Sequence, residues 1–363
     1  MKTFLSIHYL RGIAALGVLV FHACGFVAGY GSGRISPEAV RIGEAGVDIF
    51  FVISGFILTI ATQKPTSGSD FMLGRFARVG VPYWSIILTL AVATIVMPSA
   101  FRSFAWEGSD LFFSLAFVPT ILRDGSIFPM LEPGWTLCLE MLFYVVMAIA
   151  LVILPASRSA LICCALASLV IVGFLLDLPQ GQSVAWFFTQ PILLEFCFGI
   201  LIAHFYLSGF RMPGIWAAAL AGVAVVSVGI VGLHPPEAFE PARTLLYGLP
   251  ATALVAGLMF LEADGRWVTS RALSFLGTIS YSLYLTHVLS LAVVAKLLGG
   301  RVPGLAGDLV TLAVSLAASI VAAFIYFRLI EKPALLLSRR LRPRHSAAPP
   351  APPLEDTEAR QTV

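Results

Sequence analysis

Of the 363 residues, 58% are hydrophobic and only 12% are charged, with a mean hydropathy of +0.92. A soluble domain carries about twice that charged fraction, so the composition excludes an ordinary soluble enzyme. A net charge of +3 gives no reason to expect a nucleic-acid partner.

Apolar spans fall at 5–28, 46–62, 81–98, 136–154, 159–177, 187–207, 214–233, 243–261, 274–298 and 305–330. Each is near the ~20 residues a membrane-crossing helix needs. The expected fold is therefore all-α, a polytopic integral membrane protein with ten transmembrane helices.

The first span contains LRGIAALGVLVFHA, with Arg11 and His22 inside one apolar stretch. An ionisable side chain in hydrocarbon costs several kcal/mol, so each is a functional-site candidate. Their spacing returns both to nearly one helix face, roughly 16 Å apart along the axis. Arg11 interrupts what would otherwise be the core of a signal peptide, and the segment reads as a retained helix.

The second span, GVDIFFVISGFILT, carries Asp48 near its start and Ser54 about two turns further on. In FMLGRFARVGVPYW, Arg75 and Arg78 share a helix face beside Tyr83 and Trp84 just before the third span. Two guanidinium groups so spaced can grip a phosphate, although basic anchoring at the membrane surface would give the same pattern. Leu111 to Leu122 is apolar but too short to cross and reads as interfacial or re-entrant.

PGWTLCLEMLFY opens the fourth span with Glu140 about one turn in. The ninth, beginning GTISYSLYLTH, places Tyr281, Tyr284 and His287 at mid-depth, and the tenth ends at LIEKP with Glu331. The five cysteines, Cys24, Cys138, Cys163, Cys164 and Cys197, lie in or beside apolar runs with no CxxC pair, which points to neither disulfides nor a metal site. Residues 336–363 are basic, then Pro-rich and charged, and read as a disordered tail.

Lys64, Arg75, Arg78, Arg158, Arg211, Arg266, Arg271, Lys332 and the arginines at 339, 340, 342 and 344 fall on alternating loops and the tail. The positive-inside rule makes that side cytoplasmic, with both termini inside. On this topology Glu140, Asp48 and His22 share one level toward the outer surface. A neutral imidazole beside a carboxylate there suits general-base work on a hydroxyl; a buried hydrogen-bond network between helices is the alternative.

Taken together, YLRGIAALGVLVFHA, GVDIFFVISGFILT, RFARVGVPYW, PGWTLCLEMLFY, GTISYSLYLTH and LIEKP resemble, in order, the motifs of the acyltransferase 3 family of integral-membrane O-acyltransferases, especially members that modify bacterial exopolysaccharide. The resemblance covers about Phe4 to Pro333, making 1–335 the membrane domain. It implies transfer of an acyl group, usually acetyl, from cytoplasmic acyl-CoA to a sugar hydroxyl at the outer face of a bacterial inner membrane. The acceptor would be a lipid-linked or polymeric carbohydrate.

It also implies His22 as the main catalytic residue with Glu140 as a supporting acid, and Arg11, Arg75 and Arg78 holding the CoA; Asp48 joins the catalytic candidates by its depth. Trp135, Tyr144, Tyr281, Tyr284 and His287 would line the substrate side. The competing class is a transporter or lipid-linked sugar carrier using the same Arg, His and Glu for substrate or protons; no internal repeat of the transporter kind is visible.

Overall fold

Backbone amides in hydrocarbon must be satisfied within their own segment, and this chain does so with helices. The computed structural model describes residues 4–97, 106–122, 125–301 and 303–341. Among them, ten helices are long and apolar enough to span a membrane. They are α1 (Leu5–Tyr30), α2 (Pro37–Ala61), α3 (Gly68–Val96), α4 (Glu132–Ile153), α5 (Arg158–Leu175), α6 (Val184–Leu207), α7 (Gly214–Val231), α8 (Thr244–Ala263), α9 (Arg271–Leu298) and α10 (Gly304–Arg340).

Among the described residues between α3 and α4, none belongs to a helix long and apolar enough to cross. They include a short helix, Gly108–Leu115, and an antiparallel pair of two-residue strands, β1 (Thr120–Ile121) and β2 (Ile127–Phe128).

Several boundaries differ from the sequence reading, α2 among them, since a 3₁₀ segment from Pro37 precedes the expected start at 46. α3 begins at Gly68 rather than 81, because Ser67 caps it by accepting from the Asp70 amide. Arg75 and Arg78 therefore lie inside the helix, two to three turns from its start. The tail expected from 336 begins as helix, which runs from Lys332 to Leu341, and the rest of that tail lies outside the described residues.

Among the described residues there are three π-helical turns, Phe76–Gly80 within α3, Thr244–Gly248 at the start of α8 and Phe327–Glu331 within α10. Each ends two residues before a proline, Pro82, Pro250 or Pro333. A proline inside a helix has no amide to donate and its ring crowds the carbonyl four residues back; one wider turn relieves both. Arg78 and Glu331 sit within such turns, and Arg243 immediately precedes the one at Thr244–Gly248.

α1 and α9 pack as a parallel pair along their length. The His8 Nε2 meets the Ser274 carbonyl at 3.0 Å, Gly12 meets Gly277, and His22 meets His287 further along. A Cβ on Gly12 would come within 2.7 Å of the Gly277 nitrogen, so only glycine permits this approach. α2 and α6 form a second close pair through Gly55 and Gly199.

α5 and α7 are peripheral. Their most apolar windows are 11% and 28% buried against 67% for α2, and side chains such as Phe174 and Ile215 point outward as lipid-facing residues would.

Candidate active site

A cavity of about 250 Å³ follows α2 from Ala61 through Ile57 and Ser54 to Phe50 and Val47. Ala61 is at the end of α2 that adjoins the start of α1, so the cavity reaches inward from the face bearing the N-terminus. Arg11, Arg75, Arg78, Glu140, Tyr144, Tyr281 and Tyr284 line it. Seven of the eleven residues singled out in the sequence thus converge on one chamber, from α1, α3, α4 and α9.

The chamber holds three guanidinium groups and one carboxylate. Glu140 Oε1 accepts from the Ser54 hydroxyl at 2.6 Å, while Arg75 lies 5.8 Å from the Phe71 ring. Among the described residues, neither Arg11 nor Arg78 has a carboxylate within ion-pairing distance. A surplus of positive charge away from bulk water favours an anionic occupant.

The tyrosines are fixed. Tyr281 donates to the Val79 carbonyl at 2.8 Å, inside the π turn of α3. Tyr284 Oη bonds the Pro133 carbonyl at 2.9 Å and Thr136 Oγ1 at 2.8 Å.

His22 and His287 lie beyond the chamber. Their ring centroids are 5.0 Å apart, and His287 is 5.9 Å from Tyr284. In each histidine Nδ1 meets a backbone carbonyl of its own helix, Val18 at 2.9 Å and Tyr284 at 2.7 Å. A carbonyl can only accept, so Nδ1 carries the proton and Nε2 of the neutral ring keeps its lone pair. The His287 Nε2 is buried with no hydrogen-bond partner among the described residues.

Two expected members stand apart. Asp48 is fully buried, and both its oxygens are held by Arg243, through Nε at 3.1 Å and Nη2 at 2.6 Å. Arg243 also donates to the Glu44 carbonyl at 3.0 Å. Asp48 is therefore neutralised by a partner at the N-cap of α8. The expected shared level of Asp48, Glu140 and His22 does not hold: Glu140 meets Ser54, six residues further along α2, and His22 meets neither carboxylate.

Trp135 likewise lies outside the chamber, packed against Phe51 at 6.4 Å and Phe239 at 5.0 Å. Glu331, which could have paired with Arg328 as its helical neighbour, instead accepts from the Ser282 hydroxyl at 2.6 Å, while Arg328 lies over the Phe324 ring.

The sequence reading missed Arg243 and Phe50. Arg243 was detectable in principle, since it opens an apolar span on the acidic side of the charge pattern and needed an acidic partner. Phe50 is one of many phenylalanines and carried no signal of its own.

Fold and chamber together define a polytopic membrane protein built around an internal cationic cavity that ends beneath two imidazoles. Residues 4–328 match the Acyl_transf_3 family, described as an acyltransferase domain, and the chain belongs to that family. It is a membrane acyltransferase.

Among its relatives, the exopolysaccharide production protein ExoZ of Rhizobium meliloti (strain 1021) is 34% identical over 312 residues, covering 83% of this chain and 92% of ExoZ. The acyltransferase MdmB of Streptomyces mycarofaciens is 27% identical, with 95% of each chain covered. No solved structure matches the chain.

Proposed function

We propose that this protein is an O-acyltransferase that takes an acyl group, acetyl in the simplest case, from acyl-CoA on its N-terminal face and esterifies a polysaccharide hydroxyl at the opposite face. The N-terminal face would be cytoplasmic, in a bacterial inner membrane. The observation that carries this reading is the polarised path, with three arginines in a chamber reached from one face and two imidazoles with free Nε2 lone pairs beyond its far end. The similarity to ExoZ supports a polysaccharide acceptor.

CoA phosphates would be held by Arg75, Arg78 and Arg11, with the pantetheine arm lying along α2 toward Phe50. His22 Nε2 takes the proton of the acceptor hydroxyl as its oxygen attacks the thioester carbonyl. The C–S bond then breaks, and the imidazolium returns the proton to the departing thiolate. The Nδ1 bond to Val18 fixes the ring for this task, much as a third group orients the base in other acyl transfers.

One contact favours a variant of this chemistry. The Ser54 hydroxyl is bonded to Glu140 inside the chamber, the arrangement of a nucleophile with its base. In that variant Ser54 takes the acyl group first, and Ser54→Ala abolishes turnover; in direct transfer Ser54→Ala retains it.

Purified protein incubated with radiolabelled acetyl-CoA and unacylated exopolysaccharide should move label to the polymer. His22→Ala should bind CoA but transfer nothing. Substantial residual transfer by that variant would exclude His22 as the general base.

A further inference from the structure

The chamber stops short of the histidines, and two rings close the gap. Tyr284 and Phe50 both line the cavity, and their centroids are 5.9 Å apart in an edge-to-face contact. Behind them, Tyr284 touches His287 and His287 touches His22, giving an unbroken aromatic series from chamber to base. A thioester entering along α2 meets this pair before it meets an imidazole.

The two rings are not equally free. Tyr284 is tied at its hydroxyl to Pro133 and Thr136, and it is buried. Phe50 has no polar anchor and is only partly buried, on the cavity side of α2. It also packs against all three major apolar clusters: the one built on α3, α4 and α6, the one built on α2, α7 and α8, and the one between α1, α9 and α10. It is thus the side chain at which the three helix groups meet, and the one that can swing without breaking a hydrogen bond.

Resting on the donor assignment above, we infer that Phe50 is the specificity-determining residue for the acyl group, its ring closing the chamber below the imidazole pair and limiting the chain that can pass to a short one. Small acyl groups slip past a displaced phenyl ring; longer chains need the volume that ring occupies.

The test is donor selectivity. Acetyl-, butyryl- and hexanoyl-CoA are compared as substrates by thiol release in the presence of unacylated exopolysaccharide, and as competitors against labelled CoA for binding. Phe50→Leu and Phe50→Ala should raise the hexanoyl-to-acetyl ratio by about tenfold or more, the scale set by added methylenes in an apolar pocket. Phe50→Trp should lower it, and Tyr284→Phe should leave it near the wild-type value.

Because the readout is a ratio within one variant, a general loss of stability cancels. Phe50→Leu and Phe50→Trp keep the assay informative should Phe50→Ala fail to fold. Binding or turnover with the same ratio in wild type, Phe50→Leu and Phe50→Trp would overturn the role of Phe50 alone. If no acyl-CoA binds the wild-type protein, the donor assignment falls and this inference with it.

Discussion

Arg75 and Arg78 show how a residue-scale signal gains meaning from its surroundings. Three residues apart beside aromatic rings, they fit surface anchoring as well as phosphate binding. In the fold they are inside α3 and on the wall of a cavity shared with Arg11. Arg75→Ala and Arg78→Ala should each remove charge-assisted hydrogen bonds worth about 1.5–3 kcal/mol and weaken acyl-CoA affinity by tens of fold. Equal binding of CoA and its 3′-dephosphorylated analogue by wild-type protein would argue against phosphate recognition there.

Asp48 teaches the reverse. Its depth in the sequence suggested a catalytic carboxylate, but depth says nothing of neighbours, and its partner is 195 residues away, at the N-cap of α8. Removing one member of a buried ion pair leaves an uncompensated charge, at a cost of about 3–5 kcal/mol. Asp48→Asn should therefore lower the melting temperature of the detergent-solubilised protein markedly. An unchanged melting curve with lost turnover would restore Asp48 to the chemistry.

At the scale of elements, hydropathy located all ten spans, because each must be apolar over its bilayer-crossing length whatever its neighbours are. The pairing of spans was not legible: α1 and α9 are close partners though some 240 residues separate them in the chain. Their contact rests on two glycines in different motifs, and nothing local to either marks the other. The same limit hid the encounter of His22 with His287, which α1 and α9 bring together.

The pairing has a direct test. A Cβ on Gly277 would run into the backbone and ring of His8, forcing α1 and α9 apart. Overpacking of this kind costs about 1–3 kcal/mol, and here it would also spread the imidazole pair. Gly277→Ala should thus lose most acyl transfer and some stability, measured by turnover and thermal melting. Gly25→Ala, on the same α1 with nothing within 4 Å of the new methyl group, should change neither. Equal effects of the two would mean that the α1–α9 contact does not position the site.

For the whole molecule, the function depends on which face is which. An even number of spans returns the chain to the face it started from, and the basic loops lie on that face, which the proposed topology takes as cytoplasmic by the loop-charge rule. Lys64, in the loop between α2 and α3, and Ser109, in the segment between α3 and α4, are both exposed and lie on opposite faces. Gly68 is a poorer probe, since a side chain there would press on the Ala148 carbonyl. In a variant lacking the five native cysteines, Ser109→Cys should label from outside intact cells with an impermeant maleimide, and Lys64→Cys only after permeabilisation. The opposite pattern would turn the arginine-lined chamber toward the exterior, where no acyl-CoA pool is expected. It would thereby sink transmembrane transfer even if the purified protein turned over the thioester.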